Sequence, residues 1–544
     1  MPGATADAGE RLGSARADAN DPADGMCLGE RESSGGAASG GLAPSGAGSG
    51  LDRRDEGGTG AHAEPRAPGE PPRLSRAAVI GSGLCIGCGS CASGGAEAGV
   101  TGGAGAGAGE PAGAGLAMGW NTYGQLEPEG SRAWMEAPSE RLAAICPFSP
   151  HARDEDRIAA DLFPDAPVVD ARVGRFAAAY VGHAAQEDFR ARGSSGGMIS
   201  WVAAELLRRG LVDGVAHVAP ADRQATGRLF DYRVSRSVEE VRGGAKSRYY
   251  PIEMSRVLDE IRERPGRYAV VGIPCFIKAV HLARAAEPVL AERIPFTLGL
   301  VCGHMKSARM VDSFARQMGT APEQVRAVDF RLKNAERPAN WYRTQLMLED
   351  GGSTEQDWWH LLEGDWGSGF FQHSACNFCD DVVAETADIS FGDAWVEPYS
   401  SDGRGTNVVV VRSPVLHAML EEGRADGRLG LEPVGAEFVV ETQAAGFRQR
   451  REGLAYRLAL RKRGLQPRKR VAPARGGLPW RRRAIYRMRA AISAASHRLF
   501  ALSRRAGVPA LYDRPGRWLV TLYGALTYSR GRLGGWLDRL ERRF

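Results

Sequence analysis

Eight of the nine cysteines in this 544-residue chain fall into spaced groups. Cys85, Cys88 and Cys91 stand in "GLCIGCGSC", and Cys146 precedes Pro147 in "AAICPFSP". Cys275 lies in "GIPCF", Cys302 in "LVCGH", and Cys376 and Cys379 in "ACNFCDD". No other feature restricts the fold as much. Thiols two residues apart converge only if their loop turns back on itself, and distant ones only if the topology delivers them. Nine cysteines over this length are too few for a disulfide scaffold, so spaced groups read as metal or redox chemistry. Cys27 stands alone and takes no role.

In bacterial iron–sulfur runs a fourth cysteine follows the third by four residues and precedes a proline. In two-cluster proteins that fourth cysteine serves the other cluster. Here the position is Gly95. Half of such a double motif is a triple plus a distant Cys-Pro, which makes Cys146 the expected fourth ligand of a [4Fe–4S] cluster with Cys85, Cys88 and Cys91. A four-cysteine zinc site is the rival, although zinc ribbons use paired knuckles rather than a triple. Cys275 and Cys302 each follow a predicted buried strand at its carboxyl end, where α/β folds gather their ligands. With the Cys376/Cys379 pair they form a candidate second cluster site. The alternative is that they are buried core thiols.

Residues 1–75 are rich in Gly, Ala, Ser, Pro and charge and contain no aromatic side chain. Such a segment buries too little apolar surface to offset its chain entropy, so disorder is expected. A Gly/Ala-rich tract, 92–117, reads as a flexible insert within a module spanning 76–150. Across 151–440 strand and helix signals alternate, as in "MISWVAAELLRRG", "VDGVAHVA", "RYAVVGIPCFIKAV", "FTLGLVC", "ADISFGDA" and "NVVVVRS". That pattern predicts an α/β or α+β core. From 441 onward the chain is expected to be helical and interrupted at Pro467, Pro473, Pro479, Pro509 and Pro515.

Charge is divided unevenly. Residues 451–544 hold 24 Lys/Arg against 4 Asp/Glu, a net +20; the whole chain is +5, which leaves −15 for residues 1–450. A basic tail on an acidic body calls for an anionic partner or for the body itself. "RRRAIYRMRAAISAASHRLFALSRR" spaces Ile485, Met488, Ile492, Leu499 and Phe500 among arginines, a pattern that suits either an anionic membrane surface or packing on the body. Nucleic acid is not expected, because the tail has no aromatic stacking platform or recognition motif. No signal-peptide pattern or membrane span is evident, and a cytoplasmic, at most membrane-peripheral, protein is expected.

Two glycine-bearing turns carry polar side chains. Ser194, Ser195, Gly196 and Gly197 precede a predicted helix, where free N–H groups attract phosphate; the plainer reading is an N-cap. "GGAKSRYY" offers Lys246, Ser247, Arg248 and Tyr249 beside a second turn, suited to a phosphate or an acidic coenzyme. Asp388 and Asp393 flank the predicted strand in "DISFGDAW"; the plainer reading of either is a surface charge, and Asp393, after Gly392 at the strand end, is the candidate catalytic residue.

Taken in order, these cysteine motifs, the SSGG and GAKSRYY turns and "ADISFGDAW" resemble the β-subunit family of coenzyme F420-reducing hydrogenases and dehydrogenases over about residues 80–415. The resemblance implies an α/β or α+β core with a small ferredoxin-like module, to which this chain adds its basic helical tail. It also implies a flavin (FAD or FMN) on the two turns and [4Fe–4S] clusters, with electron exchange to coenzyme F420, another deazaflavin-type coenzyme or a redox partner protein. By it, Cys275, Cys302, Cys376 and Cys379 match the cysteines of the family's core domain. The reading is an iron–sulfur flavoprotein oxidoreductase. Its alternatives are a non-catalytic electron relay or scaffold docking through the tail, and a nucleic-acid-binding protein with structural zinc.

Overall fold

The computed structural model describes residues 72–94 and 117–541. Cys27, nearly all of the segment expected to be disordered and most of the Gly/Ala insert lie outside the described residues. The described residues begin a little before position 76. Leu74 is buried and bridges Ser139, and Ser75 caps the helix Arg76–Gly81 by accepting from the Ala78 N–H.

The core is an eight-stranded mixed sheet. Its strands in chain order are β1 (Ala178–Ala184), β2 (Gly214–Pro220), β3 (Phe230–Ser235), β4 (Tyr268–Gly272), β5 (Phe296–Leu300), β6 (Ile389–Asp393), β7 (Asn407–Val411) and β8 (Leu429–Val434). In space they run β8-β1-β7-β6-β5-β4-β2-β3. The central strands β2, β4, β5 and β6 are parallel, and the flanking pairs are antiparallel. β7 reads Asn-Val-Val-Val-Val and is buried at all five positions, as a strand covered on both faces must be.

Three helices position the chemistry. α1 (Met198–Arg208) buries Trp201, Val202 and Leu206 and ends two residues before Gly210, whose φ of +61° only glycine adopts freely. α2 (Ser255–Glu263) and α3 (Pro274–Ala286) pack with the N-terminal module in one apolar cluster that includes Leu84, Ile86, Phe148, Leu258, Phe276 and Val280. Pro274 sits in the first turn of α3, where its missing N–H costs nothing.

The C-terminal segment is helical and folded onto the body. α4 (Ala444–Arg450) packs Phe447 with Val408 and Val410 of β7, and α5 (Trp480–Ala506) packs antiparallel against α6 (Ala510–Tyr528), with α7 (Gly531–Glu541) following. Ile485, Ile492 and Phe500 are buried in the core around Phe371 and Trp358, with Met488 and Leu499 partly so. The apolar face of the arginine-rich stretch is therefore spent on the body. Pro515, expected to interrupt the chain, lies inside α6 instead. It removes one donor near the helix start, opposite exposed Leu511, where water can take the freed carbonyl. Among the described residues no helix is long and apolar enough to cross a membrane.

Candidate functional site

A cavity of about 260 Å³ opens at the carboxyl ends of β2, β4, β5 and β6. This is where an open parallel sheet offers its crevice. The start of α1 forms one wall. Gly197, the N-cap, has φ +78°, and a Cβ there would run into the Phe189 carbonyl. Asn407 Oδ1 accepts from the Met198 N–H at 3.2 Å, and its Nδ2 donates to the Gly392 carbonyl at 2.9 Å. One side chain on β7 thus ties the first turn of α1 to β6.

The two polar turns meet. The Ser247 N–H donates to Ser194 Oγ at 2.9 Å, and Ser195 Oγ donates to the Thr406 carbonyl at 2.8 Å. Ser194, Ser195, Gly197, Lys246, Ser247, Arg248 and Tyr249 all line the cavity. Gly196 does not. It faces the strands, where a Cβ would strike Asn407 and the Gly182 carbonyl, and its own carbonyl accepts from Ala184. Lys246 has φ +92°, a strained backbone for a side chain this size. Its ammonium pairs with Asp329 at 3.1 Å. Arg248 is desolvated enough to lower its pKa to about 10.

Asp393 reaches the cavity wall with both carboxylate oxygens engaged by the Arg331 guanidinium, at 3.0 and 3.1 Å. Arg331 is buried and lies over the Tyr342 ring at 4.3 Å. A carboxylate clamped in this way on a buried cation is held in an ion pair rather than left free at the strand end.

Three groups in or beside the cavity were not among the sequence candidates. Lys333 donates to the carbonyls of Arg190, Ser195 and Arg404 and so fastens the SSGG turn from outside. Burial, then repulsion from Lys246, Arg331 and Arg190, lowers its pKa to about 7. Lys306 is fully buried, donates to the Phe370 carbonyl at 2.6 Å and sits 4.6 Å above the Trp366 ring. Burial lowers its pKa to about 7. The His304 ring stacks on Trp366 at 4.4 Å, and its buried Nε2 has no hydrogen-bond partner among the described residues. His304 and Lys306 could have been found as polar neighbours of "LVCGH". Lys333 sits in irregular chain and could not.

Cys85, Cys88, Cys91 and Cys146 line a second, smaller cavity. Gly87, with φ +70°, turns the loop where a Cβ would run into the Leu126 carbonyl. The Cys88 carbonyl accepts from Met254 at 3.0 Å, which docks the loop on the start of α2. Cys146 caps the helix Glu140–Ile145.

Cys275 occupies the first turn of α3, Cys302 follows β5 and borders the large cavity, and Cys376 and Cys379 lie on a short 3₁₀ turn and its cap. Burial and the other three thiols raise the pKa of Cys275, and so does Cys88 of the first set. The two sets are therefore neighbours, packed on the same apolar cluster. Tyr232, buried between them, senses both Cys275 and Cys88.

All eight cysteines are free thiols. Among the described residues no three His, Cys, Asp or Glu side chains close to the spacing of a single metal ion. Two groups of four buried, unbridged thiols suit the donor set of a [4Fe–4S] cluster. The second group also has buried cations beside it. Arg450, at the end of α4, donates to the carbonyls of Cys302, Gly303 and Asp381 and lies next to Cys379, Cys302 and Cys376. Lys469 pairs with Asp380 at 2.9 Å and, with Arg450, partly offsets the rise that burial gives the Cys379 thiol.

Residues 179–259 match the family model for the N-terminal part of the coenzyme F420 hydrogenase/dehydrogenase beta subunit. Residues 266–437 match its counterpart for the C-terminal part of the same beta subunit. No curated protein matches the chain. One solved structure it resembles is a chain of the F420-reducing [NiFe] hydrogenase complex from Methanosarcina barkeri. The alignment covers 55% of this chain and 99% of that one at 17% identity and a TM-score of 0.43, a likeness too loose to carry a functional argument. The two family matches follow one another along the chain and between them supply the walls of the large cavity; on that ground the segment 179–437 belongs with the coenzyme F420 hydrogenase/dehydrogenase beta subunits.

Proposed function

We propose that this oxidoreductase is an iron–sulfur flavoprotein, with FAD or FMN in the large cavity and a [4Fe–4S] cluster in each cysteine set, the first in a ferredoxin-like module. The observation that carries the reading is the contact between the two polar turns, Ser247 on Ser194, in a cavity whose wall includes Cys302. A bound flavin exchanges a hydride with an organic donor, here coenzyme F420 or another organic molecule, and single electrons with a cluster.

The chain's own residues supply the rest. The start of α1, with Lys246 and Arg248, suits the phosphate end of a nucleotide. Lys333 and Ser195 fix the turn by occupying carbonyls that would otherwise face an anion. Asp393 orients Arg331, so that a fixed positive charge faces the cavity. Trp366 and His304 offer flat surfaces and exclude water. The thiols hold the clusters, and the closeness of Cys275 to Cys88 gives electrons a short route outward to a redox partner protein. Free thiols throughout suit a reducing, cytoplasmic setting.

Anaerobic purification with iron, sulfide and flavin quantitation tests the proposal. About eight iron, about eight sulfide and about one flavin per chain are expected. Ser194→Asp should shed flavin and keep iron. Cys275→Ser should leave the flavin reducible by its organic donor while transfer to an external one-electron acceptor is lost and the first cluster keeps its spectrum. Normal transfer in Cys275→Ser would remove the second cluster from this site.

A further inference from the structure

The tail's apolar face is buried on the body, yet its outer face is far from inert. Of twelve large hydrophobic side chains exposed among the described residues, seven lie between 480 and 536. Trp518 is 66% exposed, Leu502 52%, Trp536 50% and Leu533 42%. Between 480 and 541, ten arginines are exposed and only one acid, Glu541, which is paired with Arg481 at 3.1 Å.

The exposed positions follow helical spacing. On α5 they form one stripe through Arg483, Arg487, Arg498, Leu502 and Arg505. On α6 Leu511, Arg514 and Trp518 fall on one face, and on α7 Arg532, Leu533, Trp536 and Arg539 do the same. Arg481 binds α5 to the end of α6 through the Leu526 carbonyl and to α7 through Asp538, so the three stripes belong to one packed unit.

We infer that this outer face docks on an anionic lipid bilayer. Exposed tryptophans seated among arginines, with no exposed acid left unpaired between them, match a surface that offers apolar depth beneath negative headgroups. The tryptophans sit on separate helices rather than in one central pocket, as a protein hot spot would have them. No helix among the described residues is long and apolar enough to cross a bilayer, and the docking proposed is peripheral. The acidic body, net −15 over residues 1–450, is repelled by the same surface. This inference does not depend on the cofactors proposed above.

The test is flotation of the full-length holoprotein with vesicles of phosphatidylglycerol and phosphatidylcholine, against pure phosphatidylcholine, at low and high salt. Binding to the anionic vesicles at low salt is expected, with a several-fold loss in W518S/W536S and again in R514Q/R517Q. These positions are exposed, so circular dichroism and cofactor spectra should match those of the unaltered protein. Three outcomes would overturn the proposal: no flotation with anionic vesicles, flotation indifferent to W518S/W536S, or a self-associated or duplex-DNA-bound form that needs these tryptophans while vesicles go unbound.

Discussion

Lys333 shows how much one side chain can hold. Its ammonium serves three carbonyls on three segments, yet burial and three neighbouring cations lower its pKa to about 7. Between that value and the ordinary lysine value, the unfolded chain binds a proton that the folded chain has lost. Stability from this group therefore climbs with pH over that window, and its penalty is fullest below about pH 7. Thermal midpoints of the unaltered protein and Lys333→Met, compared from pH 6 to 9, should move apart in favour of the unaltered protein as pH rises. A constant gap would mean that the lysine titrates normally. Arg450 invites a different measurement. Its three hydrogen bonds all go to carbonyls, and it lies beside three thiols, so its charge is offset chiefly by whatever those thiols carry. Arg450→Gln should lower the reduction potential of the second cluster in an anaerobic titration followed by electron paramagnetic resonance, and leave the first unmoved. Neither residue was legible in the sequence. Each works on backbone carbonyls that only the folded loops assemble, whereas the cysteines announced themselves by local spacing.

Elements were more legible than residues. α1, β4 with α3, β6 and β7 all stand where hydrophobic runs and turn residues placed them, because a buried parallel strand and a helix with Gly or Pro at its ends need little beyond their own sequence. Pro515 was misread because a proline's cost depends on whether the carbonyl it frees can reach water, which is a property of surroundings and not of sequence. The first cysteine module tests the same logic at the level of a loop. Cys146 sits at the end of a helix 55 residues beyond Cys91, and it joins the triple only through packing. Cys146→Ala should cost about half of the iron, roughly four atoms per chain, while flavin content stays constant. Unchanged iron would leave Cys146 a core thiol.

At the scale of the whole molecule, the basic tail joins the body it appeared to trail from. Phe500 meets Phe371 edge-on at 5.3 Å, Ser496 Oγ accepts from the Phe371 N–H, and Arg470 pairs with Glu385 and Asp156. The charge imbalance was legible, but which face of the tail would turn inward was not, since apolar residues occur on both. The placement of Arg450 and Lys469 also has a consequence for how the protein is made. All eight grouped cysteines leave the ribosome before either cation does, so the second set is exposed as bare thiols while the last hundred or so residues are still being translated. If the second set holds the cluster proposed for it, assembly there waits for the end of the chain, and a cluster delivered early would meet an unfinished seat. A chain stopped after residue 440 keeps every one of those thiols; iron analysis of that product, purified anaerobically and reconstituted, should find the second set empty, and a full complement would mean that the seat is complete before the tail arrives.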